Sequence, residues 1–330
     1  MKYAYYPGCS LSSTGIEYGM STQAVAPKLG IELNEIPDWN CCGASSAHCT
    51  DHQLALALPA RTLAQAEGME MDIAVPCAGC FNRLRGAEAA IKDPKQKAKL
   101  EEILGQPLSG KVKSYSLLDI IVNQVGVDTI KTQVEKPLTG LKIAAYYGCL
   151  LVRPQNVTGF DDTENPQSMD KLMNALGGVA LDWPYKVECC GGNLAIPRTD
   201  IMMKMSYDVI RIAKASGADC IVTACPLCQV NLEMRQTDME KTYHTKLGFP
   251  IFYFTELIGL ALGIEPGALG MNKHFVSPAP FFKQWEANII ADREAKAKAA
   301  AEAKAKAEAA AAKAAAAKAK SEAAAKEGEA

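Results

Sequence analysis

The chain has 330 residues, 48% of them hydrophobic and 22% charged, enough apolar material for one large core or two of ordinary size. Thirty-five Lys and Arg against 37 Asp and Glu leave a formal charge of −2, which excludes a globally basic surface for nucleic acid or an anionic membrane. The start, Met1-Lys2-Tyr3-Ala4-Tyr5-Tyr6-Pro7, lacks the apolar run of a secretory signal, and the most apolar segment, 249–264, contains Thr255 and Glu256 and falls short of the ~18 to 20 residues of a membrane span. A cytoplasmic location without a transmembrane segment is the expectation. Twelve cysteines in that compartment favour metal or redox chemistry over a disulfide framework, because cytosolic thiols are kept reduced.

Lys2 to Tyr6 reads as a strand running into the tight turn Pro7-Gly8, which carries Cys9. Ile16, Met20 and Ala24 mark one face of a helix that stops near Pro27 to Gly30, with Met20 toward the core. Residues 31–36 form a second strand, the loop 37–40 delivers Cys41 and Cys42, and 51–66 is helical. Adjacent cysteines on a regular strand point to opposite faces, so the pair serves one centre only if the backbone turns, which Gly43 permits. A third strand over 72–76 feeds Cys77-Ala78-Gly79-Cys80, which opens a helix, a place where free N–H groups favour thiolates. A solvated helix over 93–105 and an apolar one over 116–125 follow. Between them Gly105 to Lys111 imitates a phosphate loop, but Pro107 interrupts it and Val112 replaces the required Ser or Thr. No Gly-x-Gly-x-x-Gly occurs, so no flavin or nicotinamide site of its own is expected.

A linker over 133–140 precedes a restart of the pattern. A strand over 141–147 ends at Gly148-Cys149, and a polar loop, a helix over 169–175 and a strand over 179–183 lead to Cys189-Cys190-Gly191-Gly192. Thr199 is placed to cap a helix with Ile201, Met205, Val209 and Ile212 on one face, its methionines core filler. A strand over 220–224 feeds Cys225-Pro226-Leu227-Cys228, a strand over 251–254 leads to a capped helix over 255–262, and from about Ala291 only Ala, Lys and Glu remain, as in a solvated helical or disordered tail. The pattern predicts an α/β fold of two pseudo-twofold related lobes, 1–136 and 137–290, and a tail 291–330. Each lobe should have a short parallel sheet with flanking helices and its cysteines at the carboxyl ends of strands.

Ten cysteines thus fall into two sets of five, with 34 residues between Cys42 and Cys77 and again between Cys190 and Cys225. Tetrahedral zinc and an ordinary four-iron cluster each take four ligands, so either one thiol per set is spare or the centre is an unusual cluster. A single Cys-x-x-Cys would equally suit a thioredoxin-like site or half a zinc site. His48, His52, His244 and His274 show no ligand spacing, although His48 adjoins Cys49; Cys49 and Cys220 lie outside the sets and read as buried thiols. Arg83, Arg85, Arg153 and Arg198 follow the cysteine turns and are candidates to bind an anionic substrate.

This pattern, a lone Cys, Cys-Cys-Gly after 31 or 39 residues and Cys-x-x-Cys after 34 more, resembles the cysteine-rich CCG domain. Two tandem copies over about residues 1 to 265, with Phe252-Tyr253-Phe254-Thr255-Glu256-Leu257 closing them, resemble the B subunit of heterodisulfide reductase. The resemblance implies two non-cubane [4Fe-4S] clusters, one on Cys9, Cys41, Cys42, Cys77 and Cys80, the other on Cys149, Cys189, Cys190, Cys225 and Cys228. It further implies a disulfide opened between them by one-electron steps, so that the ten ligands are also the reaction site; Arg153 and Arg198, by their guanidinium chemistry, are the substrate candidates. The implied partners are a ferredoxin-like iron–sulfur protein, corresponding to the C subunit of heterodisulfide reductase, and a flavoprotein, corresponding to its A subunit. Leu150 follows Cys149 where relatives carry a polar His, so another disulfide or a lipoyl-type substrate suits the chain as well as a methanogen heterodisulfide. Two alternatives stand beside this: a CCG electron-transfer subunit of a flavin-linked dehydrogenase for lactate, glycolate or glycerol phosphate, passing electrons toward quinone, and a structural zinc scaffold.

Overall fold

The computed structural model describes residues 1–44 and 46–327, with side chains through residue 311. In the first half β1 (Lys2–Tyr5), β2 (Glu32–Glu35), β3 (Ile73–Val75) and β4 (Ser114–Ser116) form a parallel sheet in the order β2-β1-β3-β4. In the second β5 (Lys142–Tyr146), β6 (Val179–Ala180), β7 (Cys220–Thr223) and β8 (Ile251–Tyr253) repeat it in the order β6-β5-β7-β8. The lobes are copies of one topology. Parallel neighbours require a crossover, and helices supply it, Ile16–Lys28 between β1 and β2 and His52–Gly68 between β2 and β3. All residues of β3 and β7 are buried, as short apolar runs covered on both faces should be.

The edge strand β4 escapes sequence reading because Ser114-Tyr115-Ser116 has no apolar run; register with Ile73, Ala74 and Val75 makes it a strand. Strand β6 is shorter than the predicted 179–183. Pairing ends just past Leu181, whose N–H still reaches Ile143 O at 2.9 Å, and the Trp183 indole instead donates to Ala145 O at 2.9 Å.

Two helices turn a different face inward from the one predicted. In Ile16–Lys28 the buried residues are Glu17, Tyr18, Ser21, Thr22, Val25 and Ala26, while Ile16 is 41% exposed and Met20 half-buried. This helix packs against Phe254–Ala261 of the other lobe, so its second buried face is polar and hidden from any hydrophobic count. Tyr18 stacks on Tyr253 with centroids 4.1 Å apart, and Ser21 Oγ lies 2.7 Å from Thr255 Oγ1. In Thr199–Ala215 the core face is Met202, Ser206, Val209, Ile210 and Ala213, with Ile201 exposed. Thr199 does not cap it; its hydroxyl donates to Ala195 O. The last helix, Ala279–Glu327, is continuous through the boundary expected at 290. Phe281 and Trp285 anchor its start, Trp285 donating to Pro137 O at 3.0 Å, and beyond Ala291 its surface is largely exposed as far as residue 311.

Candidate metal centres

The same local devices bring the five thiols of each set together. A tyrosine three residues before the lone cysteine holds the carbonyl just before the Cys-Cys pair: Tyr6 Oη donates to Asn40 O and Tyr146 Oη to Glu188 O, both at 2.6 Å. Gly8, at φ +68, and Gly148, at φ +63, let the backbone pass close to the last cysteine of each set. A Cβ there would sit 3.1 Å from Cys80 Sγ or 3.2 Å from Cys228 Sγ. After each pair the turning glycine aims its N–H back at the first thiol, Gly43 N at Cys41 Sγ (3.5 Å) and Gly191 N at Cys189 Sγ (3.3 Å). The Cys-x-x-Cys segments then follow β3 and β7 at the starts of the helices Ala78–Ala90 and Pro226–Glu233.

The sulfurs approach in matching pairs. Cys9 and Cys41 are 3.9 Å apart and Cys42 and Cys80 3.2 Å in the first set; Cys149 and Cys189 are 4.0 Å apart and Cys190 and Cys228 3.5 Å in the second. All twelve cysteines are free thiols. Neighbouring thiols shift one another: Cys42 is pulled well below the usual thiol range by Cys41 and then Cys80, with the Arg83 guanidinium adding to the effect. Cys189 is lowered by Cys149 and Cys190, and Cys225 by Cys228, Cys77 and the N–H groups of its helix start. Ala78, next to Cys77, borders the cavity of the second set with Cys225 and Cys228, so the two sets are neighbours.

All five thiols of the second set border one cavity of about 190 Å³, together with Tyr147, Leu150, Leu194, Met205, Leu227 and, from the first lobe, Ala78. Among the described residues no three His, Cys, Asp or Glu side chains converge on a single-ion position. A donor set of five thiols around a space of this size suits a cluster of several metal atoms better than one ion.

The candidate substrate arginines stand elsewhere. Arg153 is held by Thr163 O (3.1 Å), Val187 O (3.3 Å) and Glu164 (3.0 Å), and Arg198 forks onto Asp200 at 3.0 and 2.8 Å; neither borders the cavity. Arg85 pairs with Glu88 at 2.6 Å, and Arg83 lies beside His48, 3.3 Å from Nδ1. Cys220 is buried as expected, but Cys49 is exposed, because its short helix Ala47–Thr50 turns it outward from the first set.

One group went unforeseen. The His274 side chain is fully buried between two carboxylates, Nδ1 to Glu233 at 2.8 Å and Nε2 to Glu256 at 2.9 Å. Glu256 also accepts the Tyr253 N–H at 2.8 Å. Against the opposing pull of burial, Glu256 and Glu233 raise His274 to about 11. The signal in the sequence was Glu256 itself, a charge inside the most apolar run.

The family model for the cysteine-rich domain CCG matches residues 3–85 and again 143–233. The chain belongs to the CCG cysteine-rich domain family. Among CCG relatives it is 37% identical over 278 residues to the 8-methylmenaquinol:fumarate reductase membrane anchor subunit of Wolinella succinogenes, covering 83% of this chain and 97% of that protein. It is 30% identical over 289 residues to the B subunit of the ferredoxin:CoB-CoM heterodisulfide reductase of Methanosarcina mazei, covering 85% and 95%. A solved hypothetical protein from Helicobacter pylori shares the CCG fold at a TM-score of 0.68 and 12% identity, covering 83% of this chain and 52% of that one. The expected kinship with the B subunit of heterodisulfide reductase is borne out, and with it an oxidoreductase role in electron transfer. Among the described residues no helix is long and apolar enough to cross a membrane.

Proposed function

We propose that this chain is the iron–sulfur subunit through which a multi-subunit oxidoreductase exchanges electrons with a quinone. Cys9, Cys41, Cys42, Cys77 and Cys80 hold one iron–sulfur group, and Cys149, Cys189, Cys190, Cys225 and Cys228 hold the other. Five thiolates in each set suit the non-cubane [4Fe-4S] type, since a cubane takes four. Such groups take up and return one electron each, so two of them match a two-electron carrier. The thiol side of the cavity at the second set would be taken by the cluster, and the observation that carries the quinone reading is the rest of its lining, Leu150, Leu194, Leu227, Met205, Ala78, Tyr147, Asn193 and two glycines, with no charged side chain. An anionic disulfide would need a cation there, whereas an apolar ring needs contact area and exclusion of water. The Wolinella relative, named for a menaquinol, supports the same choice.

The chain's own residues make this space. Tyr6 and Tyr146 fix the Cys-Cys turns, the glycines let sulfur and backbone approach, and Leu150 and Leu227 screen the second set from water. A flavoprotein and a ferredoxin-like protein complete the electron path.

Disulfide reduction is the second reading. It is favoured by Ala78, the neighbour of Cys77, lining the cavity of the second set, which sets two one-electron centres side by side, and by the Methanosarcina relative. Iron, acid-labile sulfide and zinc are measured on anaerobically purified protein, followed by reaction with a short-chain menaquinol analogue and with a disulfide plus reduced viologen. Eight iron and eight sulfide are what two four-iron centres require. Reduction by the quinol analogue supports the quinone reading, and disulfide turnover without quinol reactivity replaces it. Zinc without iron or sulfide ends both.

A further inference from the structure

The cysteines of the two sets repeat at matching positions, and among the residues around them one that reaches the Cys-Cys turn differs by a full charge. Three residues past the last cysteine of each set stands Arg83 in the first lobe and Asn231 in the second. Each reaches back to the Cys-Cys turn of its own lobe. Arg83 Nη2 donates to Ala44 O at 3.3 Å, and Asn231 Nδ2 to Cys190 O at 3.3 Å and to Cys190 Sγ at 3.7 Å. Asn231 is 2% exposed and neutral. Arg83 brings a permanent cation, and its Nε–H is buried and, among the described residues, without an acceptor.

Buried donors are almost always partnered, so an Nε–H left over one helical turn past Cys80, on a side chain that reaches the Cys-Cys turn at Ala44, points to an acceptor of the group the thiols hold. In the second lobe the buried cation just before the Cys-Cys pair is Lys186, and Asp170 neutralises it at 2.7 Å. A positive charge and a donated hydrogen bond both favour the more negative, reduced form of a cluster.

We propose that Arg83 makes the centre of the first set the easier of the two to reduce, donating from Nε to a sulfur of that centre. The first electron to enter then rests away from the cavity, and the second set, which borders the cavity, faces the two-electron substrate with the weaker hold on its electron. The inference rests on the reading that both sets carry iron–sulfur groups.

The test is a dithionite titration of anaerobically purified full-length protein, followed by EPR, for wild type, Arg83→Gln and Arg83→Lys, with iron content and circular dichroism checked for each. Wild type should show two resolved midpoints. Arg83→Gln should lower the higher one by about tenfold in the reduction equilibrium, ~59 mV for one electron, and leave the lower one in place. Arg83→Lys, which keeps the charge but loses the Nε–H, should fall between. Unmoved midpoints in a fully loaded Arg83→Gln protein, or a shift confined to the lower one, overturn this inference and leave the iron–sulfur reading intact. Absence of iron and sulfide from the wild type overturns both.

Discussion

Replacing His274 by Ala removes the only positive member of a sealed triad. The imidazole and both carboxylates have no exposed side-chain surface, and Glu233 and Glu256 flank the ring at 2.8 and 2.9 Å. His274 is raised from 6.5 to about 11 by the two carboxylates. At ~1.4 kcal/mol per pH unit its charge state contributes at most ~6 kcal/mol. Breaking a buried pair by removing one partner costs ~3–5 kcal/mol, which we take as the expected loss for His274→Ala at pH 7, because two carboxylates are left facing each other without a cation. The sign with pH follows from linkage. A group raised on folding contributes fully below its unfolded value of ~6.5, and the contribution is lost as pH rises toward about 11. Wild type should therefore lose stability between pH 7 and 10 through this group, and His274→Ala should lack that part of the fall. The assay is urea denaturation of anaerobic protein followed by circular dichroism at pH 7, 8.5 and 10. A loss below ~1 kcal/mol at pH 7, or equal alkaline slopes in the two proteins, would refute the argument, since a buried salt-bridge partner cannot be that cheap to remove.

Gly191 sits at φ +80, and an added Cβ would meet Met202 Cα at 2.9 Å, so Gly191→Ala should destabilise by ~1–3 kcal/mol. It should also lower iron content by the share of the second set, while Gly192→Ala, whose Cβ would meet only Cys190 Sγ at 3.9 Å, should bind iron normally. Equal iron in the two variants would contradict this account of the turn. Cys49→Ser and Cys220→Ala should keep full iron and sulfide and Cys190→Ser should not; loss of iron from Cys49→Ser would bring that exposed thiol into the first set. Burial raises Glu17 to about 7, so the folded state holds its proton where the unfolded state has released it, and stability falls as pH rises from ~4.5 to 7. Glu17→Gln should flatten that part of the stability curve, and an unchanged slope in urea titrations at pH 5, 6 and 7 would count against it.

Two five-thiol sets, the duplicated α/β pattern and the family kinship were legible because they depend on residue type and spacing along the chain. A Cys-x-x-Cys after a short apolar strand, preceded by Cys-Cys-Gly at 34 residues, has few structural meanings, and glycines at the turns declare where the backbone must bend. Chain-local chemistry of this kind needs no knowledge of what lies across the molecule. Which face of Ile16–Lys28 is buried, that Ser114-Tyr115-Ser116 is a strand, that Arg153 and Arg198 are engaged elsewhere, and that His274 lies between Glu233 and Glu256 were decided only in three dimensions. The helix face, the edge strand and the His274 triad depend on partners far along the chain or on the other lobe, whereas Arg198 is taken by Asp200 only two residues on. The physical reason is that burial of a polar side chain is stable only when the fold supplies its partner, and a sequence names the side chain without naming the partner.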